Sequence, residues 1–533
     1  MITKIKIQGY RIYKDFELKP NQKLNLIVGA NESGKSTLIE AISLALTGRI
    51  NGKKAAEELN PYWFNTALVN QFVASRQSGG KQSFPKIKIE LFFEGNDQLQ
   101  ELCGAHNSDV PTNACPGIKL EVTPNPEYSD DMEIWAKSPS LVLPTDYYQV
   151  DWRPFTDIPI TRQPKKLATA IIDSRTVRST SGVDYHLREI LNDYLDPNER
   201  VAISQEFRQV KASMSDESLK GVNDRIGKLH ASLHDKPISL AMDQSARTTW
   251  EGAITPHVDQ VPFSMSGQGQ QAAIKISLAM NKHSDKASFV MVEEPENHLS
   301  HTSLATLLSR MEELSGEQQQ IFISTHSSFV LNRLGLDSIL LMGADKAEKI
   351  ANLQPETVSY FKKLPGYDTL RMALANKIVL VEGPSDEIVF ERFFKDKYKK
   401  MPMECGIDVL SMRGLSLKKC LEFCSALDKT VAALRDNDGN DPKDLESELS
   451  SWLKKGEREV FIGDNNHGNT LEPQLLSFNS EESLRSILGI ANTADINKWM
   501  TREKTESAIR ISESSSNITP PDYIKSAVEF IND

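Results

Sequence analysis

Apolar and polar positions in the first fifty residues follow a pattern that predicts two strands, a turn and a helix. The segment Ile2–Ile7 alternates apolar and polar residues, and the apolar run Leu24–Val28 stops abruptly at Gly29. From residue 36 to residue 46 the apolar positions fall at helical spacing. A strand, a glycine-rich turn and a helix are therefore expected in direct succession.

Two later apolar runs, Ser288–Val292 and Ile321–Ser324, also end in polar residues. Such runs are typical of buried strands with functional groups at their carboxyl ends, which is where open α/β sheets place ligands. Between these blocks, Asp184–Leu233 is charged, poor in β-branched residues and periodic at helical spacing. We interpret it as a helical insertion that forms either a subunit interface or a solvent-covered lid.

A second α/β pattern begins after about Leu364, and Pro365–Gly366 is a plausible domain boundary. The predicted elements are strands at Lys377–Val381, Ile407–Leu410 and Thr430–Leu434, with a helix near Asp386–Phe394. The fold class is therefore α/β, with a first domain built from residues 1–170 and 253–360. A helical insertion at residues 171–252 interrupts it, and residues 365–533 form a separate domain.

Composition excludes several classes of protein. With 39% apolar and 25% charged residues in 533 positions, the chain is globular and too long for one core. It has no uninterrupted apolar stretch of about 18 residues and no export signal, so we expect a cytoplasmic protein without membrane contact. The five cysteines lack metal-ligand spacing and are expected to be reduced thiols. A net charge of −11 confines any contact with nucleic acid to a groove.

The segment Gly29–Ser36, with the sequence GANESGKS, fits the phosphate-binding pattern G-x-x-x-x-G-K-[ST] between a strand and a helix. Its glycines let backbone N–H groups close around phosphates at the helix N-terminus, Lys35 reaches the β and γ oxygens, and Ser36 can bind Mg²⁺. We therefore predict an ATP site that includes Asn31, Glu32, Ser33, Gly34, Lys35, Ser36 and Thr37.

Strand-end residues downstream complete an ATPase pattern. Glu293 can hold Mg²⁺ through water, Glu294 can polarise the attacking water, and His326 can sense the γ-phosphate. In this order the motifs resemble the ABC-type ATPase heads of SMC and RecF proteins. The resemblance implies that ATP lies between two subunits, with a signature loop acting in trans. The candidate loop, Ser266–Gln271 with Gly267 and Gly269, departs from the usual LSGGQ, and it is alternatively a flexible loop before a helix.

Carboxylates follow two predicted strands of the last third. Glu382 and Asp386 come after Lys377–Val381, and Asp436 and Asp438 come after Thr430–Leu434. Oxygen ligands of this kind suit hard divalent cations. The combination of an E-G…D element and a D-x-D-G element resembles the Toprim domain of topoisomerases, primases and OLD nucleases. The resemblance implies that these four residues bind metal.

Two further elements are similar to those of OLD (overcoming lysogenization defect) nucleases. Glu472, in Thr470-Leu471-Glu472, resembles the glutamate that joins their metal centre. Lys504 resembles the lysine placed near the scissile phosphate, and the alternative is a solvated lysine. Glu387 is a reserve candidate that should point partly away. The resemblance implies DNA cleavage with Mg²⁺ or Mn²⁺ by a two-metal mechanism.

An ABC-type head, a helical insertion and a C-terminal Toprim domain, in this order, resemble the OLD nucleases over nearly the whole chain. Membership implies an endonuclease regulated by ATP, assembled as a homodimer or larger oligomer, with a role in anti-phage defence. A helicase or a retron RNA–reverse transcriptase complex is a possible partner by the same resemblance. DNA would contact a groove, for which the basic stretch Lys362, Lys363, Arg371 and Lys377 is one candidate and a solvated face the alternative.

Two other functions remain open from the sequence. One is another Toprim enzyme, a topoisomerase or primase, although no remaining segment is large enough for the partner domain that carries a topoisomerase tyrosine. The other is an SMC- or RecF-like ATP-dependent clamp, which needs only the ATPase motifs. The carboxylate set of the last third counts against a clamp.

Overall fold

The structure is a computed structural model, and it describes the larger part of the chain. The described residues are 1–50, 53–77, 83–95, 97–109, 113–138, 142–161, 164, 167–173, 195–227, 238–245, 250, 257–267, 269–271, 273–274, 288–297, 299–314, 319–343, 347–349, 353–363 and 369–532. They fall into two compact units, of which the first comprises Met1–Asn25 and Gly34–Thr325 and the second Leu26–Ser33, His326–Gly343 and Ala347–Asp533.

The described strands, numbered in chain order, are β1 (Ile2–Tyr10), β2 (Tyr13–Leu18), β3 (Leu24–Gly29), β4 (Arg49–Ile50), β5 (Lys53–Lys54), β6 (Ile87–Phe93), β7 (Cys103–Gly104), β8 (Cys115–Pro124), β9 (Tyr148–Pro154), β10 (Ala168–Asp173), β11 (His257–Val258), β12 (Val261–Pro262), β13 (Ser288–Glu293), β14 (Gln319–Ser324), β15 (Ile339–Met342), β16 (Ala347–Lys349), β17 (Lys377–Val381), β18 (Ile407–Ser411), β19 (Thr430–Arg435) and β20 (Arg458–Ile462).

The described α-helices, numbered in the same way, are α1 (Lys35–Thr47), α2 (Ala55–Glu58), α3 (Thr66–Gln77), α4 (Ser129–Lys137), α5 (Pro197–Ser213), α6 (Lys220–Ile226), α7 (His301–Leu314), α8 (Ser328–Leu334), α9 (Pro355–Lys363), α10 (Thr369–Leu374), α11 (Pro384–Tyr398), α12 (Leu417–Ala426), α13 (Pro442–Leu449), α14 (Leu471–Phe478), α15 (Glu481–Leu488), α16 (Ile496–Arg502), α17 (Lys504–Glu513) and α18 (Asp522–Asn532). The strands and helices predicted around the motifs are confirmed, with differences of a few residues at their ends.

An antiparallel sheet in the first unit has the strand order β2-β1-β6-β8-β7, with β9 also paired to β8. Helix α1 packs against β6 and β8, and its C-terminus is held by Trp152, whose indole N–H donates to the Ala45 carbonyl at 2.8 Å. Gly48 ends the helix with a left-handed φ of 65°. A Cβ atom there would lie 2.7 Å from the Trp152 ring, so the close approach requires glycine.

Parallel strands β10, β13 and β14 lie side by side in the first unit. Their pairing brings the Asp173, Glu293 and Ser324 backbones level at the carboxyl ends. The buried Gln320 amide ties β14 to the N-terminus of β1, because it accepts from the Ile2 N–H at 2.7 Å and donates to the Ile2 carbonyl at 3.0 Å. The sheet edge that carries Glu293 is therefore anchored to the N-terminus of β1 through β14.

Part of the predicted helical insertion is described. Helix α5 begins with a capping box in which Asp196 and Glu199 exchange hydrogen bonds with the backbone, and a π-helical turn at Met214–Ser218 joins it to α6. The helical prediction is confirmed for residues 195–227. The remainder of Asp184–Leu233, like the predicted boundary at Pro365–Gly366, lies outside the described residues.

The second unit contains a four-stranded parallel sheet with the order β18-β17-β19-β20. The strand order reverses beside β17, and parallel sheets bind ligands at the carboxyl ends of strands next to such a reversal. The central strands β17 and β19 have apolar interiors, Ile378–Val381 and Val431–Leu434, as expected for strands covered on both faces. Val379, Val381 and Leu434 pack with Phe390 and Phe394 of α11 in the core.

Arg392 of α11 joins two helices of this unit. Its guanidinium donates to the carbonyls of Ile511 at 2.7 Å, Ser512 at 3.2 Å and Ser516 at 3.0 Å, as well as to that of Ser514, at the C-terminal end of α17. Its Nε also donates to Asp396 at 2.7 Å. Carbonyls at a helix C-terminus have no partner within the helix, so this one side chain satisfies groups that would otherwise be left without one.

All five cysteines are free thiols, as predicted. None of the helices in the described residues is both long enough and apolar enough to cross a membrane.

Replacing Arg392 with alanine should lower the free energy of unfolding by about 3 kcal/mol, because several carbonyls lose a charged donor in a half-buried position. Chemical denaturation of the full chain would measure this loss. Lys395→Ala removes an exposed charge from the same helix and should cost less than about 0.5 kcal/mol. Equal losses in the two variants would contradict the role given to Arg392.

Candidate functional site

The loop between β3 and α1 has the backbone of a phosphate-binding turn. Glu32 and Gly34 have positive φ angles of 65° and 94°, and α1 begins directly afterwards with Gly34 as its cap and no acidic residue in its first turn. The positive end of the helix dipole therefore meets the loop without an internal counter-charge. A Cβ atom at Gly34 would lie 2.6 Å from the Tyr13 hydroxyl, so only glycine fits.

Side chains of this loop differ in exposure. Asn31 and Glu32 are exposed, Ser36 and Thr37 are half-buried, and Ser33 and Lys35 are buried. The Ser33 hydroxyl is buried and makes no hydrogen bond within the part of the chain that the structure describes. Burial lowers the pKa of Lys35, and the charge of Glu294 opposes that shift. A buried ammonium and a spare buried hydroxyl suit a bound nucleotide phosphate.

The end of β13 presents the two glutamates predicted there. Glu293 is buried, and the chain turns at Glu294 with a φ of 46°. The Glu294 N–H donates to the Ser324 carbonyl at 2.9 Å, which fixes this turn to the end of β14. Asn297, which sequence reasoning did not select, donates from its amide to Glu294 Oε2 at 2.7 Å. Glu294 is therefore oriented rather than loosely solvated.

Other predicted ATP-site residues occupy local positions that agree with their motifs. His326 is exposed and immediately precedes the cap of α8. Gly267 is exposed, Gly269 begins a helical turn, and Gln268 between them lies outside the described residues. The buried Gln271 side chain turns back to donate to the Ser266 carbonyl at 2.8 Å. The loop is thus a helix-initiating turn, and its action in trans stays a prediction.

The carboxyl ends of β17 and β19 bring the first two predicted metal ligands together. The Asp436 N–H donates to Glu382 Oε1 at 3.1 Å, although the residues are far apart in the sequence. Neighbouring parallel strands place their carboxyl ends at one edge of the sheet, so the strand order explains this contact.

A buried asparagine shapes the loop after β19. The Asn437 side chain donates to the carbonyls of Gly463 and Gly468, both at 2.9 Å, and accepts from the Gly439 N–H at 2.8 Å. Between these anchors Asp438 has a left-handed φ of 49° and remains exposed. The D-x-D spacing therefore places Asp436 and Asp438 on either side of an anchored residue. Sequence reasoning missed Asn437, although its place between two predicted ligands was a usable signal.

Helices supply the remaining predicted groups. Asp386 lies in the first turn of α11 and accepts from the Gly383 N–H at 3.0 Å. Glu472, in the first turn of α14, is almost fully buried, accepts from the Thr470 hydroxyl at 2.9 Å and lies 3.7 Å from the Lys504 ammonium. Lys504 begins α17 and is about half exposed.

Burial and mutual repulsion dominate the electrostatics of this cluster. Burial, followed by the charges of Asp386, Glu382 and Glu472, raises the pKa of Asp436 to about 8. Burial also raises the pKa of Asp386 to about 6, against the hydrogen bond from Gly383. Partial burial raises the pKa of Glu382, while the Asp436 N–H and the charges of Arg435 and Lys504 lower it. The cluster is therefore short of positive charge.

The donor set fits a hard divalent cation, although it does not form a closed cage. Within the described ranges, no three Asp, Glu, His or Cys side chains converge closely enough to enclose a metal ion by themselves. Mg²⁺ usually keeps several waters and takes only one or two carboxylates, together with substrate phosphates. An open carboxylate edge with unbalanced negative charge agrees with that preference.

Tyr523 of α18 is a further group beside the cluster. Burial raises its pKa, and the charges of Asp436, Asp386, Glu472 and Glu382 raise it further, so the phenol stays protonated. No local motif marks this position, and sequence reasoning did not find it. Glu387, the reserve candidate, instead acts on Glu391 one turn along α11, where burial and then the charge of Glu387 raise the pKa of Glu391.

Two of the four residues in the predicted basic stretch, Arg371 and Lys377, make hydrogen bonds within the fold. Arg371 donates to Asp408 at 2.9 Å and to the Val409 carbonyl at 3.3 Å, and Lys377 donates to the Asn532 carbonyl at 3.4 Å. Lys362 and Lys363 are exposed at the end of α9. Arg371 and Lys377 therefore have partners within the fold, and the choice between a DNA groove and a solvated face for this stretch stays a prediction.

Comparisons with known proteins assign both parts of the chain. A family model described as an AAA domain matches residues 4–376, which is most of the chain. A second model, described as the Toprim domain of overcoming lysogenization defect protein-like proteins, matches residues 374–438. That segment contains Glu382, Asp386, Asp436 and Asp438, whereas Glu472 and Lys504 follow it. No curated protein sequence matches the chain.

Solved structures of the same kinds are similar at low identity. The SMC head domain from Thermotoga maritima is 14% identical, covering 64% of this chain and 93% of its own, with a TM-score of 0.29. RecF bound to ATP is 11% identical, covering 66% and 99%, with a TM-score of 0.34. The C-terminal region of the Burkholderia pseudomallei OLD protein is 18% identical, covering 30% and 97%, with a TM-score of 0.25. The assignment rests on the family models rather than on these scores.

Both family models agree with the order of motifs in the sequence and with the α/β sheets that carry them. The chain therefore belongs to the AAA-domain family and is an OLD-family protein, in which an ABC-type ATPase head precedes a Toprim domain.

Proposed function

We propose that the protein is an ATP-regulated DNA endonuclease that cuts phosphodiester bonds at the Toprim carboxylates. The observation that carries the proposal is the contact between Glu382 and Asp436 at one sheet edge. The charges of Asp386, Asp438 and Glu472 act on the pKa values of these two acids, and Lys504 pairs with Glu472. Burial and neighbouring carboxylates raise the pKa values of Glu382, Asp386 and Asp436. Such repulsion destabilises the folded protein, and a bound cation would offset it. An SMC- or RecF-like clamp would have no use for this cluster.

In this proposal the five carboxylates hold divalent cations, with Mg²⁺ or Mn²⁺ as the candidates. Such cations, when bound, would supply Lewis-acid stabilisation of the scissile phosphate and a hydroxide-forming water. Lys504 faces the same edge, and its half-exposed ammonium can pair with a phosphate oxygen. Thr470 fixes the orientation of Glu472, and Asn437 fixes the spacing of the two aspartates. Lys504 would thus orient the phosphate, while Thr470 and Asn437 hold the carboxylates in place.

ATP would bind at the loop formed by Asn31, Glu32, Ser33, Gly34, Lys35, Ser36 and Thr37. Lys35 would contact the β and γ phosphates, Ser36 and Glu293 would hold Mg²⁺, and Glu294, held by Asn297, would orient the attacking water. His326 would sense the γ-phosphate, and Gly267 and Gly269 would contact ATP on a second subunit. We further propose that residues 171–252 contribute to dimerisation of the 1–170 and 253–360 head, with residues 365–533 as the nuclease domain.

A physical route for regulation exists within the second unit. It contains both the Leu26–Ser33 part of the nucleotide loop and the Toprim sheet. Helix α9 is fastened to α12 by Glu422, which accepts from the Gln354 N–H at 2.7 Å and from the Thr357 hydroxyl at 2.5 Å. A nucleotide can shift the nuclease only if its affinity differs between two states. Anti-phage defence, with a helicase or a retron RNA–reverse transcriptase complex as partner, is the biological role that the family suggests.

Purified protein should convert supercoiled plasmid to cut forms with Mg²⁺ or Mn²⁺, and Asp436→Asn should reduce the rate at least about 100-fold by removing charge from the metal site. Glu387→Gln makes a similar charge change beside Asp386 and should retain activity within about threefold. Gel analysis would separate free cut ends from a covalent protein–DNA adduct. Absence of cutting by the intact protein with every metal and nucleotide tested would overturn the proposal.

The pKa values predict how pH acts on stability. Asp436 and Asp386 bind protons more tightly in the folded state than in the unfolded state, so their stabilising contribution is complete below about pH 4 and is lost as pH rises through about 6 and 8. In EDTA, Asp436→Asn should therefore raise the melting temperature at pH 8 by roughly 5 °C, with a smaller gain at pH 5.

Mg²⁺ competes with the same protons, so its stabilisation of the intact protein should grow from pH 5.5 to pH 8 and should be much reduced in Asp436→Asn. Asp444→Asn, at an exposed position of α13, is the matched control and should follow the intact protein in both experiments. A lower melting temperature for Asp436→Asn at pH 8 in EDTA would show that ionised Asp436 does not destabilise the folded state.

Lys35→Ala should weaken ATP binding by about 100-fold, because the buried ammonium is the main cation of the nucleotide loop. It should also abolish any change in DNA cutting that ATP produces in the intact protein. Lys137→Ala, an exposed lysine at the end of α4, should leave both properties unchanged. If Lys35→Ala lost ATP binding while cutting still responded to ATP, the regulatory part of the proposal would be wrong.

A further inference from the structure

A surface cleft of about 530 Å³ is lined by two of the Toprim carboxylates, Glu382 and Asp438. The loop after β18 and the first turn of α12 also line it, through residues 412 and 414–418. The cleft lies entirely in the second unit and adjoins the edge at which phosphodiester cleavage is proposed. Nothing in the proposed chemistry uses this space.

Two cations line this cleft beyond the carboxylates. Lys418 is exposed, with its ammonium 5.0 Å from the centre of the Trp452 ring, a contact that limits the positions of the long side chain. Arg435 immediately precedes Asp436, and its guanidinium lies 3.9 Å from the exposed carboxylate of Glu448. An ion pair this long and exposed is weak and easily exchanged for another anion. Both cations can therefore turn to a ligand in the cleft.

The start of helix α12, which lines the cleft, also favours an anion. Helix α12 has ten residues, begins after Ser416, and has neither a side-chain cap nor an acidic residue in its first turn. The Ser416 N–H is bound by the Tyr360 hydroxyl at 2.8 Å, which fixes the position of the helix start. The positive end of the helix dipole thus faces the same space as Lys418 and Arg435.

We propose that this cleft binds the DNA backbone at a phosphate next to the scissile one, with Arg435 and Lys418 as the contacting residues. The inference rests on the proposed nuclease function, since it places the rest of the strand whose scissile phosphate lies at the carboxylates. Lys504 lies at Glu472 and the cleft at Glu382 and Asp438. The strand would thus contact Lys504, the carboxylates and the cleft. Arg435 and Lys418 position the DNA, and Arg435 also acts through its charge on Glu382.

The test measures binding of a fluorescein-labelled DNA duplex to the full-length protein in EDTA by fluorescence anisotropy at several salt concentrations. Lys418→Gln with Arg435→Gln should raise the dissociation constant about tenfold or more, equally for unrelated sequences, and reduce the slope of log K against log salt by about two. Lys395→Gln with Lys400→Gln removes two exposed lysines that do not line the cleft and should change neither quantity appreciably.

Glu448→Gln provides a test in the opposite direction. It removes a negative charge from the cleft and releases Arg435, so DNA should bind several-fold more tightly. A destabilised protein would not bind DNA better, so this gain cannot arise from misfolding. In cleavage assays with Mg²⁺, Lys418→Gln alone should raise KM while kcat changes little, because a phosphate contact remote from the reaction supplies binding alone.

The outcomes separate this inference from the function on which it rests. If the intact protein cuts DNA, the double variant matches the lysine control in affinity and salt slope, and Lys418→Gln leaves KM unchanged, the cleft is not the backbone subsite while the nuclease proposal stands. If the intact protein never cuts, yet the double variant loses affinity and Glu448→Gln gains it, the nuclease proposal fails and the DNA-binding cleft stands. Loss of affinity in both double variants alike would also overturn the assignment to this cleft.

Discussion

The Toprim part depends on one constraint, which is that Glu382 and Asp436 share one edge of the sheet, where the Asp436 N–H donates to Glu382. Parallel strands β17 and β19 end at the same edge, so their carboxylates must meet there, and burial makes the meeting unfavourable. The surrounding residues hold the acids in place against this repulsion. Asn437 and Gln474 bind the Gly468 carbonyl, and Arg392 fixes the far end of the helix that begins with Lys504.

Patterns that are local in sequence could be read before the fold was known. Strand-end acids such as Glu382 and Asp436 follow short apolar runs, and the regular geometry of a parallel sheet converts adjacent strand ends into spatial neighbours. The glycine-rich loop that ends in Lys35 was recognisable for the same reason, because a turn between a strand and a helix needs few residues and strict backbone angles. Both sites depend on main-chain geometry, which short sequence patterns encode well.

Features that depend on which side chain meets which partner could not be read in this way. Arg371 and Lys377 look like part of a basic stretch, yet Asp408 and the Asn532 carbonyl engage them. Tyr523 comes long after the aspartates and reaches them only through the packing of α18 on the sheet. The charge and the hydrophobic periodicity of a sequence describe one segment at a time, whereas a side-chain contact depends on two segments that are distant in the sequence. Sequence reasoning therefore found the acids and missed the residues that hold or face them.

The attachment of α9 to α12 explains how a structural change elsewhere in the second unit could displace the cleft wall without moving the sheet. Glu422 caps the start of α9, and the Tyr360 hydroxyl near its end binds the Ser416 N–H at the start of α12. The helix is therefore fastened at both ends to the element that forms the cleft wall. Helix α8, which follows His326, packs against α9, and buried Thr369 and Asn332 join α8 to α10. A displacement of α8 would be carried to the cleft wall by α9, while the carboxylates, anchored through Asn437 to other loops, stayed in place. Such an arrangement would let α8 act on the cleft while the carboxylate cluster stays assembled.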